Sequence, residues 1–245
     1  MTFPFSPITY LEPLDVGREI QLDARTMEAL VFRQIRVSEA FTLRDSAGDY
    51  FRASLREAGP RGGAAVVYER MERSPESPLQ LSLYCAVLAR QRMMLVTQKA
   101  TELGVVRLQP LFTEHSVPPE GLQHEKAHAW PNQALRAVRQ CRRASVPEVR
   151  PTVPLAEAVQ YPTWQRAEAR FYLDDRAAEK TQLWRGPREV VLAVGPEGGW
   201  SDPERSLLQA SGALPLALGG RVLRSETAVL VGVTLLQHLL GDLQV

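Results

Sequence analysis

Cysteine is almost missing from this chain: Cys85 and Cys141 are the only two in 245 residues. Neither belongs to a Cys-x-x-Cys pair, and no His/Cys cluster has zinc spacing. A disulfide-stapled scaffold and a structural zinc site are excluded, and no metal is expected. What remains is a pair of reduced thiols in a cytoplasmic protein. Net charge is also scarce, at +1, so no whole-molecule field pulls the chain onto nucleic acid or an anionic membrane. Any polyanion contact must come from a local patch. Long apolar runs are missing too. The longest uncharged one, 228–241, falls short of the roughly 20 residues that span a bilayer. The opening MTFPFSPITYLEP lacks the basic-then-apolar order of a signal peptide. The histidines (His115, His124, His128, His238) are scattered and form no evident catalytic pair.

What is present reads as two regions. Residues 1–73 are β-rich. Arg18 to Leu22 predicts a strand and Ala24 to Ile35 a short helix. Phe41 to Leu43 and Tyr50 to Leu55 flank Ser46-Ala47-Gly48-Asp49 as a hairpin, and Ala64 to Tyr68 adds a further strand. Glu72 to Pro78, polar with two prolines, reads as a linker. From 74 to 245 the rhythm changes to alternating strand and helix. Strands are predicted at Leu79–Leu88, Val105–Phe112, Phe171–Leu173, Val190–Val194 and Leu214–Leu218. Helices are predicted at Arg90–Leu103, closed by Gly104, and at Pro131–Arg143. Such alternation specifies an α/β fold, a parallel sheet with helices on both faces. The proline-broken stretch 145–168 gives no clear pattern.

Twice near the end of the chain an apolar strand opens into a glycine loop and a helix follows. Val190 to Val194 opens into Gly195-Pro196-Glu197-Gly198-Gly199, and Leu214 to Leu218 into Gly219-Gly220-Arg221. Both loops leave the carboxyl ends of parallel strands, the edge where open α/β sheets bind ligands. No G-x-G-x-x-G and no Walker lysine is present, so a dinucleotide or ATP site is poorly supported. Ser201 and Glu204 form a capping box with Pro203 in the first turn. Ser225 is expected to cap the last helix, with Glu226 at its positive end. Arg221 and Arg224 sit where the helix dipole disfavours cations, which points to an anionic partner. A third cationic element is the helix with Arg136, Arg139, Arg142 and Arg143. Positions 136, 139 and 143 share a face, and no acid balances them, so phosphate contact competes with a merely solvated face.

Taken together, these residues resemble the RsmE family of the SPOUT methyltransferase superfamily. Lys99-Ala100-Thr101-Glu102-Leu103-Gly104 is similar to its Lys-x-x-Glu-Leu-Gly segment. Ala137 to Arg143 with Pro147 is similar to its Ala-x-x-Gln-Cys-x-Arg-x-x-x-Pro segment, and Gly195–Trp200 and Leu218–Ala228 to its two cofactor loops. The resemblance implies S-adenosylmethionine as cofactor and methylation of N3 of one uridine in 16S ribosomal RNA of the small subunit. It also implies a C-terminal trefoil knot over 74–245, an N-terminal PUA-like β-barrel over 1–73, and a homodimer formed through the helix 228–240. On this basis the cofactor-binding residues are Leu173, Val194, Gly195, Pro196, Glu197, Gly198, Gly199, Leu218, Gly219, Arg221, Leu223 and Thr227. Arg221, Arg224 and Glu226 are the catalytic candidates. Arg33, Lys99, Arg136, Arg139, Gln140 and Arg143 are the RNA-binding candidates. The chain departs from the family pattern at Thr26-Met27, where His-His is usual, and at Arg139, Arg142, Gly220 and Ser225. The rival readings are a SPOUT enzyme for another RNA such as transfer RNA, a non-catalytic RNA-binding assembly protein, and a small-molecule α/β enzyme.

Overall fold

The computed structural model describes residues 3–177 and 186–243. The chain divides into two compact units, Met1–Glu76 with Leu135–Val146, and Ser77–Ala134 with Pro147–Val245.

The first unit is built on strands β1 (Ile8–Thr9), β2 (Glu19–Asp23), β3 (Ala40–Arg44), β4 (Tyr50–Gly59) and β5 (Gly62–Arg70), with helix α1 (Ala24–Phe32) after β2. Their order in the sheet is β1-β3-β4-β5-β2. All pairings are antiparallel except β1 with β3. Among the described residues β1 and β2 do not pair with each other, so the sheet is a curled half-barrel and not a closed one. Asp45 fastens the β3–β4 turn: its carboxylate accepts from Asp49 N at 2.9 Å and from Leu14 N at 3.2 Å. Asp23 caps α1 through a 2.7 Å bond from Thr26 N.

The segment 135–146 is bound into this unit by charge. Glu76 pairs with Arg143 Nη2 at 2.8 Å and also accepts from Ala144 N and Ser145 N, both at 2.8 Å. The Arg143 side chain is only 3% exposed. Arg33 is buried as well. It donates to the carbonyls of Pro4 at 2.9 Å, Ser6 at 2.6 Å and Ala144 at 3.3 Å. Burial pushes its pKa down to about 10.

The second unit contains β6 (Gln80–Ala86), α2 (Arg90–Glu102), β7 (Arg107–Phe112), and the start of α3 (Trp130–Cys141), which enters the first unit from Leu135 onward. The stretch that showed no clear pattern holds β8 (Glu148–Val149), β9 (Val153–Pro154), α4 (Leu155–Ala158) and α5 (Pro162–Gln165). Then follow β10 (Ala169–Leu173), β11 (Glu189–Val194), α6 (Asp202–Ala210), β12 (Leu214–Leu216) and α7 (Ser225–Leu240). The sheet order is β12-β10-β11-β6-β7-β8, with β9 also pairing to β7. Every pairing in it is parallel.

Alternate side chains of each strand enter two different cores, which explains the unbroken apolar runs. Leu81, Leu83, Phe171, Val190 and Leu192 pack with Met93 and Val96 of α2 and Val229, Val233 and Leu236 of α7. Tyr84, Tyr172, Val191 and Ala193 pack on the opposite face with Leu155, Trp164 and Leu208. Helices therefore cover both faces, as expected. Gln237 of α7, fully buried, donates to Leu103 O at 2.9 Å and accepts from Ser77 Oγ at 2.7 Å. This ties α7 to the end of α2, where Gly104 turns the chain at φ +84°. Cys85 lies in the core with its thiol pushed up to about 12 by burial, so it is chemically inert. Among the described residues no helix is long and apolar enough to cross a membrane.

The buried pair in the first unit yields a prediction. Glu76→Ala leaves the Arg143 guanidinium without its carboxylate and strands two backbone donors. The substitution should lower unfolding free energy by about 3 kcal/mol, measured by urea denaturation.

Candidate functional site

Three neighbouring strands deliver their carboxyl ends to one cleft. β10 lies between β12 and β11, so the two glycine loops flank a third loop that begins at Asp174. The cleft is lined by Leu173–Arg176, Val194–Trp200, Arg205, Leu216, Leu218, Gly219, Arg221–Leu223, Ser225 and Ala228. It thus gathers Leu173, Val194, Gly195, Pro196, Glu197, Gly198, Gly199, Leu218, Gly219, Arg221 and Leu223, all expected on cofactor grounds. Thr227 does not line it. That side chain is exposed on α7, while Ser225 and Ala228, three apart on one helical face, take the lining positions. Arg224 and Glu226 also stand back from the lining.

The first loop is shaped from behind. The Trp200 ring lies against Gly195, where a Cβ would come within 3.1–3.2 Å of ring atoms. Trp200 Nε1 donates to Leu173 O at 2.9 Å and so binds this loop to the end of β10. Gly199 turns at φ +69° and donates to Pro196 O at 2.9 Å. A ring nitrogen of His115 contacts Gly199 O at 3.1 Å; because a carbonyl only accepts, Nδ1 carries the proton. The same histidine closes off Gly198, where a Cβ would sit 2.8 Å from His115 Cβ. The loop runs into α6, whose Glu204 accepts from Ser201 N at 2.9 Å and from Glu114 N at 2.8 Å.

The second loop is open. At Gly219 and Gly220 an added Cβ would meet nothing within 4 Å, and Gly219 has φ +112°. The last helix starts differently from expectation. Ser225 is already its first helical residue and buried, and Arg224 occupies the N-cap position with φ −62° and ψ 150° and no side-chain cap bond.

Charge is arranged in two groups around these loops. Asp174, 6% exposed at its side chain, pairs with Arg205 Nε at 2.9 Å, and Arg205 reaches Asp202 at 3.2 Å. Arg176 donates its backbone N–H to Asp174 Oδ1 at 3.1 Å. In the other group Arg92 of α2 forms an ion pair with Glu197. Its Nε lies 3.8 Å from Glu226 Oε1. Glu226 Oε2 is buried and has no hydrogen-bond partner among the described residues.

The expected cationic face is smaller than the spacing suggests. α3 ends at Cys141 because Arg142 takes a left-handed conformation at φ +63°. Arg143 therefore leaves the helix and is buried against Glu76. Arg143 and Arg33 are internal ties of the first unit and do not form part of an exposed phosphate-contacting stripe. Arg136, Arg139 and Gln140 are exposed, with Arg139 donating to Gln34 O at 3.0 Å. Lys99 pairs with Glu102 at 2.8 Å in the second unit. Among the described residues no cluster of His, Cys, Asp and Glu could hold a metal.

Sequence reasoning missed Asp174, Asp175, Arg176, Arg205 and Arg92. The first three were readable as residues directly after a short parallel strand. Arg92 carries a fainter signal, a cation in a helical first turn that holds no acid.

The sequence pattern of the RNA methyltransferase domain family matches residues 75–237. A ribosomal RNA small subunit methyltransferase E from Buchnera aphidicola is 30% identical over 73% of this chain and 73% of its own length. The chain belongs to the ribosomal RNA small subunit methyltransferase E family. The structure of a family member from Neisseria gonorrhoeae bound to S-adenosyl methionine is similar at TM-score 0.71 and 28% identity, covering 98% of this chain and 100% of that one. A Legionella pneumophila protein solved with bound SAM is similar at TM-score 0.68 and 31% identity, covering 97% of this chain and 99% of that one.

The two glycines at the head of the second loop separate backbone strain from contact. Gly219→Ala should destabilise the protein by about 1 kcal/mol through its positive φ. Gly220→Ala should stay within about 0.5 kcal/mol. Paired urea melts of the two variants check this.

Proposed function

We propose that this protein is an S-adenosylmethionine-dependent methyltransferase that modifies N3 of a uridine in 16S ribosomal RNA. The observation that carries the reading is the cleft at the ends of β10, β11 and β12, in a chain of this family. Its residues suit the cofactor. Leu173, Val194, Leu216, Leu218 and Leu223 offer an apolar slot for a flat base. The glycine loops allow close approach of backbone, which offers amide and carbonyl groups to the polar parts of the ligand. The unpartnered Glu226 Oε2 leaves an acceptor available nearby.

When bound, S-adenosylmethionine supplies a methyl group already activated by a sulfonium. The backbone of 194–199 and 218–223 orients and immobilises it, the kind of positioning that supplies several kcal/mol of a barrier. N3 of uracil carries a proton that must leave. Arg221, exposed at the cleft, stabilises the anionic base as charge develops. Glu226 accepts the proton or orients an arginine, and Arg224 grips a flanking phosphate. Arg136, Arg139 and Gln140, with Lys99, contact RNA backbone. The target uridine is unpaired, since N3 is hidden in a duplex.

The first unit is read as a PUA-like RNA-binding domain, and this is supported by its curled five-stranded sheet. A trefoil knot in the second unit and a cytoplasmic location follow from the family resemblance. A homodimer through α7 is supported by the apolar surface that Val231 and Leu239 leave exposed.

Calorimetric titration with S-adenosylmethionine and S-adenosylhomocysteine tests the cofactor reading. Both should bind the wild-type protein. Gly195→Val, which drives a side chain into the Trp200 ring, should weaken both by about 10-fold or more, the effect of roughly 1.4 kcal/mol. No binding by the wild type would overturn the reading.

A further inference from the structure

We infer that Arg92 is a positioning residue for methyl transfer, a clamp that holds both glycine loops of the cofactor cleft in register. The inference rests on the function proposed above for that cleft. Arg92 lies in the first turn of α2, whose N-cap Ala89 makes no side-chain cap bond and whose first turn has no acidic residue. A cation at this end of a helix opposes the helix dipole, so Arg92 weakens α2 where it sits. Its partners lie elsewhere in the chain. Glu197 belongs to the loop after β11, and Glu226 to the start of α7 after the second loop. The side chain is one-third exposed, and Glu226 beside it is 14% exposed, so this group is partly shielded from solvent.

The geometry assigns different nitrogens to the two tasks. Nη1 meets Glu197 Oε1, while Nε faces Glu226 Oε1 at 3.8 Å. A guanidinium can present a separate nitrogen to each of two carboxylates at once. A clamp is needed because, among the described residues, no other side-chain hydrogen bond or ion pair joins the first loop to the second loop or to the start of α7. Trp200 and His115 hold the first loop to its own side, and Gly219 and Gly220 have open space around them. The Arg92 charge also lies beside Glu226, whose Oε2 is unpartnered among the described residues. Arg92 touches neither cofactor nor substrate in this role; it acts through the two glutamates.

Backbone hydrogen exchange of the cofactor-free protein tests this without any activity. In Arg92→Met, peptides covering 195–199 and 219–226 should both exchange about 10-fold faster. Arg92→Lys keeps the charge but has one nitrogen, so it should hold the Glu197 loop near the wild-type rate while 219–226 speeds up. If Arg92→Met fails to fold, the lysine variant alone decides. Unchanged exchange at 219–226 in Arg92→Lys, or in either loop in Arg92→Met, overturns the clamp. Titration with S-adenosylmethionine should show about a 10-fold loss of affinity in Arg92→Met, and wild-type affinity there would also count against it. If the wild type binds no S-adenosylmethionine, the methyltransferase reading falls and the exchange result still decides whether Arg92 joins the loops.

Discussion

A parallel strand joined to its neighbour by a crossover helix leaves neither face of its sheet to solvent. In this protein that constraint governs everything in the second unit. Leu83 and Leu192 face α2 and α7, while Tyr84 and Val191 face α4, α5 and α6. With both faces taken, a ligand can enter only at the strand ends. The loops after β10, β11 and β12 supply the lining of the cleft, and the strands set where each loop begins. Glycine at 195 and 198 follows from this arrangement: the loop is pressed against Trp200 and His115 from behind.

Electrostatics adds precision that packing does not. Asp174 and Arg205 form a nearly buried pair at the cleft wall, and Arg92 meets Glu197 of the first glycine loop and lies near Glu226 at the start of α7. The Asp174–Arg205 arrangement pairs charges that burial would otherwise penalise. In the first unit the same logic produces a purely structural result. Arg143 and Glu76 satisfy one another and two backbone N–H groups, which binds 135–146 into that unit.

Much of the architecture was legible because strand periodicity and helix stops are local signals. Gly104 at φ +84° closes α2 as its position implied, and the loops at 195–199 and 219–223 share a cleft as two parallel-strand ends should. What was illegible depended on tertiary partners. Arg143 continued the helical spacing of Arg136 and Arg139, but the left-handed turn at Arg142 and the distant Glu76 decide its fate. Arg33, an RNA-binding candidate by resemblance, instead satisfies carbonyls far away in sequence. Ser225 was a good cap by type, yet helix α7 begins one residue earlier than that role requires. Trp200 beside the glycine loop was visible, but its bond to Leu173 O needed the order of β10 and β11 in the sheet.

The central claim is that the cleft at the ends of β10, β11 and β12 serves methylation of small-subunit ribosomal RNA at uridine N3. Nucleoside mass spectrometry of 16S ribosomal RNA from a strain lacking this protein tests it most directly. The account predicts loss of one N3-methyluridine, restored by the wild-type protein and not by Gly195→Val. An unchanged modification profile in the deletion strain would contradict it.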